Sequence, residues 1–357
     1  VRYPSLAQAD RFLLLRILRS SGIGPVQFFK YWQKTGGDAE AILRMLGTKA
    51  ASEAACRKEM EQISKLVARL VAYGEADYPA GLTHIYDAPP LVTVLGNTAL
   101  LRSSPMVAMV GARNASAAGK GFARQIAEGL AGAGVTVVSG FARGIDGEAH
   151  RGAIKGKTIG VFGVGIDGTY PDQHRELRDE MLAGGNCFVS ELPLGTGPMA
   201  RNFPARNRII AAMSDAVVVI EASLQSGSLI TANMALEMGK EIFAVPGFPT
   251  DLRHHGANHL IKHGANLLES HQEILDFLCN RRTSVPTVQA AASPPPVAND
   301  GAAGAILGAL SSTPVSIDEL AKACQLSIPA TVAELIQLEL DGKIERLPGQ
   351  RVMRAGR

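Results

Sequence analysis

Apolar residues recur at helical spacing through the first part of the chain. Leu6, Phe12, Leu13, Leu15, Ile17 and Leu18 are followed by Phe28, Phe29 and Trp32. Ile42, Leu43 and Leu46 come next, then Ile63, Leu66, Val67 and Leu70. This pattern predicts a helical domain over 1–76. Gly22-Ile23-Gly24-Pro25 falls between two of its helices, where two glycines suit a tight hairpin. Such a hairpin either closes an ordinary interhelical turn or offers backbone N–H groups to a phosphate.

From residue 77 the pattern changes to short, continuous, β-branched runs separated by helical stretches. Strands are expected at 91–95, 106–110, 135–139, 158–162, 187–191, 216–220 and 241–245. Continuous apolar strands alternating with helices predict a parallel sheet covered on both faces, hence a Rossmann-like core over 77–280. Residues 281–304, RRTSVPTVQAAASPPPVANDGAAG, lose all periodicity and read as a linker. In 305–357, Ile306, Leu307 and Leu310 share a helix face, and Ser316 with Glu319 makes a capping box. A third helix follows from Pro329, then a hairpin around Leu-Pro-Gly-Gln, which together predict a winged helix. The expected fold is α/β, a Rossmann-like parallel sheet with an N-terminal helical domain and a C-terminal winged helix.

The winged helix resembles a DNA reader in outline only. Its presumed recognition helix carries Glu334, Glu339 and Asp341 and no Lys or Arg, whereas groove binding neutralises phosphates. A protein-contact or regulatory role is expected of it.

Composition narrows the classes. The 357 residues are 46% hydrophobic with a net charge of +3, so a polyanion partner requires positive charge concentrated at a site. Cys56, Cys187, Cys279 and Cys324 are far apart, against a disulfide framework or a structural zinc site. No long apolar run or targeting pattern occurs, so a cytoplasmic protein with no membrane association is expected.

Ligands of open parallel sheets sit beyond the carboxyl ends of the strands. Here those ends carry Gly111-Ala112-Arg113, Gly140-Phe141-Ala142-Arg143 and Gly163-Val164-Gly165. Glycines admit a ligand to the backbone, and Arg113 and Arg143 on neighbouring loops face an anion. Ser226-Gly227-Ser228 opens a helix, a place for a phosphate or for ordinary serine capping. In RNFPARNRIIAAM, Phe203 is placed to stack on a base or to serve as a hydrophobic staple. Arg206 shares the apolar side of its helix, facing the rim or a buried carboxylate, Glu191 or Glu221. Asn207 and Arg208 complete the expected nucleic-acid-binding set, with Arg208 pointing away from that side.

Other chemistries are set aside. NASAAGKG at 114–121 resembles a phosphate-binding loop, but Asn114 and Gly121 stand where Gly and Ser or Thr are needed. No Gly-x-Gly-x-x-Gly follows the strand at Met106. His254, His255, His259 and His263 lack a carboxylate at helical spacing, and Gly256 is expected to break the run. Asp146 and His150, four apart, read as a helix-surface pair rather than a catalytic one. No catalytic residue, metal or cofactor is expected.

The ordered motifs YP-x2-L at 78–82, VG-x-R at 110–113, SG-x-A-x-GID-x3-H at 139–150, Tyr170-Pro171, Ser190-Glu191, FP-x-RNR-II at 203–210, E-x4-SGSLITA at 221–232 and VPG at 245–247 together resemble the DprA/Smf family over about 77–280. The resemblance implies a non-enzymatic, dimeric protein that binds single-stranded DNA and helps load RecA recombinase in natural transformation. It also implies that Arg113 and the FP-x-RNR segment lie in the DNA pocket. Ala112 departs from the family, which often has a hydroxyl residue there. The rival reading is a nucleotide phosphoribohydrolase-type enzyme using Glu191 and Glu221, but Ser226-Gly227-Ser228-Leu229 stands in place of its Pro-Gly-Gly-x-Gly-Thr loop. A transcription regulator using the winged helix is a third.

Overall fold

The computed structural model describes residues 3–283, 300–310, 315–324, 326–347 and 351–354. It divides into two compact units, Val1–Val285 and Pro286–Arg357. The first opens with four helices, α1 (Arg11–Leu18), α2 (Pro25–Lys34), α3 (Ala39–Leu46) and α4 (Glu53–Lys65). Asp10, Asp38 and Ser52 cap α1, α3 and α4 with their side chains. Gly24 leads into α2, whose first residue is Pro25.

The helical reading fails at its last segment. Lys65 ends α4, Val67 takes a left-handed backbone, and Ala68–Ala72 forms strand β1. Its pairing with β2 (Leu91–Gly96) outweighs local spacing. Then follow β3 (Met106–Gly111), α5 (Ala117–Gly132), β4 (Thr136–Ser139), α6 (Ile145–Ala153) and β5 (Lys157–Val161). Next come α7 (Arg175–Ala183), β6 (Cys187–Ser190), α8 (Asn202–Met213), β7 (Ala216–Ile220) and α9 (Gly227–Glu237). The unit ends with β8 (Glu241–Ala244), α10 (His255–Lys262), β9 (Asn266–Leu267) and α11 (His271–Thr283).

The nine strands form one sheet, in the order β1-β2-β6-β5-β4-β3-β7-β8-β9. From β6 to β9 all neighbours are parallel, and β2 is antiparallel to both β1 and β6. Strands β3, β4, β5 and β7 are buried on both faces but for their end residues, which explains their unbroken apolar runs. Leu14, Phe28, Val71, Val92 and Ile209 belong to one apolar core, so the N-terminal helices and the sheet pack together. After β3 the chain winds outward through β4 and β5, and β7 lies on the other side of β3. The crevice between the ends of β3 and β7 is the switch point at which such sheets bind ligands.

The second unit contains α12 (Asp300–Ala309), β10 (Val315–Ser316), α13 (Ile317–Ala323), α14 (Ile328–Leu340), β11 (Ile344–Leu347) and β12 (Arg351–Arg354). Three helices and the sheet β10-β12-β11 make a winged helix around Ile306, Leu320, Leu335 and Val352. The Ser316–Glu319 capping box is present. Both ends of the expected linker are helical, since α11 continues to Thr283 and α12 begins at Asp300. Residues 284–299, and Pro348–Gln350 of the expected hairpin turn, lie outside the described residues. Among the described residues no helix is long and apolar enough to cross a membrane.

Candidate nucleic-acid interface

A cavity of about 650 Å³ opens at the switch point. Gly111, Ala112 and Arg113 line it from the end of β3, and Ser226, Gly227 and Ser228 from the start of α9. Phe203, Pro204, Arg206 and Asn207 reach it from the first turns of α8. Gly140 and Arg143 line an adjoining cleft together with Arg113 and Phe203.

Arg113 is exposed and its guanidinium stands over the Phe203 ring, 5.4 Å from the centroid. Among the described residues neither Arg113 nor Arg143 has a carboxylate partner, so two cations lining these spaces are free of ion pairs. Phe203 is half-buried and seated against Gly163, where a Cβ would lie 2.9 Å from its ring edge. Gly163 is therefore required for the ring to sit at the end of β5.

The start of α9 departs from ordinary serine capping. Ser226 holds the N-cap position in extended backbone, yet its side chain accepts no bond from a helix backbone N–H. Its hydroxyl bonds that of Ser228 instead, at 2.8 Å. First-turn N–H groups of an 11-residue helix thus border the cavity without a side-chain cap. Asn207 donates to Gly227 O at 3.3 Å, tying α8 to α9 at the cavity wall.

Arg206 points inward as its helical position implies, but it pairs with neither Glu191 nor Glu221. Its Nη1 donates to the carbonyls of Gly140 and Val161, at the ends of β4 and β5. Gly140 leaves room for the guanidinium, which a Cβ would occupy. Burial lowers the Arg206 pKa to about 10, so the cation persists at neutral pH beside Asp146. Asp146 is itself buried. Desolvation raises its pKa, opposed by Arg206 and by N–H groups of Ala142 and Gly140. The surface pairing expected of Asp146 and His150 is thus replaced by two buried groups with separate partners. His150 Nδ1 lies 2.7 Å from Thr158 Oγ1, and that hydroxyl donates to Val137 O.

Arg208 does not join this cavity. It is buried on the opposite side of α8, bonded to Asp87 at 2.8 Å and Glu191 at 2.7 Å. Glu221 lies at the end of β7 and accepts from Ser116 N at 2.8 Å and from Ser116 Oγ. Both carboxylates of the rival hydrolase reading are therefore engaged by protein groups. Ser116 in turn caps α5, accepting from Gly119 N at 2.9 Å, which accounts for the Gly- and Ser-rich 114–121 segment. Gly256 lies within α10 rather than breaking it, its N–H bonded to Ala222 O at 2.6 Å. Among the described residues no group of three or more His, Cys, Asp or Glu is placed to hold a metal ion.

Spacing alone had not singled out Tyr170 or Asp146 as cavity residues. The Tyr-Pro dipeptide was visible in the sequence, but its ring reaches Phe203 only through the fold, at 5.5 Å between centroids.

Fold and cavity define a class, the open, doubly wound α/β proteins with a cation-rimmed crevice at the switch point, here joined to a winged helix. The family model for DNA recombination-mediator protein A matches residues 69–279, and that for the DprA winged helix domain matches 290–350. The chain belongs to this DprA/Smf family. Protein Smf of Escherichia coli (strain K12) is 39% identical over 276 residues, 76% of this chain and 74% of that protein. DNA processing protein DprA of Bacillus subtilis (strain 168) is 36% identical over 274 residues, covering 72% and 92%. The X-ray structure of DprA from Streptococcus pneumoniae superposes with a TM-score of 0.64 at 35% identity, over 75% of this chain and 98% of that one. A structure of DNA processing protein A from Helicobacter pylori, solved to explain its single-stranded DNA binding mode, gives 0.55 at 28% identity, over 60% and 96%.

Proposed function

We propose that this chain binds single-stranded DNA at the switch-point cavity, without turnover, and that it protects incoming DNA and helps load RecA recombinase in natural transformation. The observation that carries the reading is the cavity itself. It joins an aromatic ring, uncommitted arginines and an uncapped helix start in one place. Aromatic faces accept any base, while arginines and backbone N–H groups hold phosphates, so binding is strong and sequence-tolerant. The Helicobacter pylori relative, whose structure concerns single-stranded DNA, supports the same reading. RecA acts on DNA in the cytoplasm, which is where this protein is placed by its proposed partner.

Homodimerisation through the Rossmann-like core is part of the proposal. Strand β9 is an exposed sheet edge whose Leu267 is 46% exposed, and Phe248 and Leu252, between β8 and α10, are 78% and 69% exposed. The winged helix is assigned to protein contact or regulation, since α14 carries no Lys or Arg.

Fluorescence anisotropy with labelled oligonucleotides tests the reading. Single strands are expected to bind in preference to duplex of equal length, with affinity falling steeply as salt rises. Equal affinity for both forms, or salt-independent binding, overturns it.

A further inference from the structure

The larger cavity meets the adjoining cleft at a ridge. The cleft is much the smaller of the two, about 30 Å³ against about 650 Å³. Arg113 and Arg143 both line it. The aromatic residues that line both spaces are Phe203 and Tyr170. Their ring centroids are 5.5 Å apart with an interplanar angle of 42°. Tyr170 is 41% exposed, and among the described residues its hydroxyl has no hydrogen-bond partner. Phe203 is fixed from behind by Gly163 and flanked by Arg113.

We infer that Tyr170 is a further DNA-contacting residue, which with Phe203 forms a wedge that parts the bound strand, one base entering the larger cavity and the adjoining phosphate lying in the cleft between Arg113 and Arg143. This rests on the single-stranded DNA reading above. Stacked neighbours are separated by about 3.4 Å, too little to straddle a two-ring ridge, so the step at the ridge must open. Contact of the freed base with an aromatic face offsets the lost stacking. The two spaces differ in size, about 650 Å³ against about 30 Å³, and Arg143 lines only the smaller one.

The test uses the full chain and short oligothymidines carrying two adjacent 2-aminopurines, moved along the strand. Circular dichroism reads the exciton couplet of the stacked pair, and anisotropy reads binding. The wild-type protein at saturation is expected to abolish the couplet at one placement. Tyr170→Ala is expected to bind roughly tenfold more weakly and, at saturation, to leave the couplet intact. Tyr170→Phe is expected to behave as wild type. Tyr170→Leu, which keeps apolar bulk without a ring, repeats the test if the alanine variant unfolds. A couplet that survives at every placement in the wild-type complex overturns the wedge. So does a couplet abolished equally by saturating Tyr170→Ala. Absence of oligonucleotide binding by the wild type is a separate result, and overturns the DNA reading together with the wedge built on it.

Discussion

The guanidinium of Arg113 stands over the ring of Phe203, 5.4 Å from its centroid, joining the end of β3 to the start of α8. Neither residue is fixed by the other alone. Gly163 sets the ring, and the short Gly-Ala turn after β3 sets the arginine. The pair presents a cation and an aromatic face to one cavity.

Arg113→Ala is expected to weaken single-strand binding by about 1.5–3 kcal/mol, the range for a charge-assisted, partly desolvated contact. Its exposure and lack of a carboxylate partner leave folding unaffected. Anisotropy and thermal melting of the same preparation check this, and unchanged affinity contradicts the cavity as the DNA site.

Arg206→Ala is expected to act first on stability. It leaves the carbonyls of Gly140 and Val161 without their buried donor and Asp146 without its neighbouring cation. The cost is about 3 kcal/mol or more, read as a lower denaturation midpoint. An unchanged midpoint contradicts a structural role for this arginine.

Arg208→Ala separates the two faces of α8. Asp87 and Glu191 lose a shared buried partner, so stability falls by a few kcal/mol. Single-strand affinity, measured well below the midpoint, is expected to be unchanged, because Arg208 does not line the cavity. A loss of affinity comparable to that of Arg113→Ala in the folded variant contradicts this placement.

Gly163→Ala is expected to weaken DNA binding with a small effect on stability. The added methyl group meets the Phe203 ring edge at 2.9 Å and displaces a ring only half-buried. Titration of the variant beside Phe203→Ala checks it, since the two losses should be similar in kind and not additive.

His150 gives a pH dependence. Thr158 Oγ1 donates to Val137 O, so it accepts from His150 Nδ1–H, and Nε2 carries the lone pair in a buried site without a partner. Burial lowers the His150 pKa to about 3. Between pH 3 and 6.5 the unfolded chain binds the proton and the folded one does not, so this contribution to stability is complete above pH 6.5 and is lost as pH falls. At pH 5 the loss is about 2 kcal/mol relative to pH 8. Asp146 and Glu191, whose pKa values are raised, act in the opposite sense, so the decisive measurement is the difference between wild type and His150→Gln. That variant should show a shallower fall in midpoint from pH 7 to pH 5, and an equal fall in both proteins refutes the assignment.

The sequence by itself determined the parallel core, the winged helix and the family. Buried strands such as β3 and β7 are apolar on both faces, and turn glycines and serines mark their ends, so period and punctuation agree. It also gave the inward direction of Arg206, because helical position fixes which side of α8 a residue faces. Only the tertiary structure decided what each side faces. Helix α8 is covered on both sides, and Arg208, on the side away from the cavity, meets Asp87 and Glu191 rather than solvent. Strand β1 exists because β2 lies beside it, although Ile63, Leu66, Val67 and Leu70 keep helical spacing. Tyr170 reaches Phe203, and Glu221 reaches Ser116, through the topology that brings strand ends together. Periodicity reports which face of an element is buried, and the partner waiting there depends on segments distant in the chain.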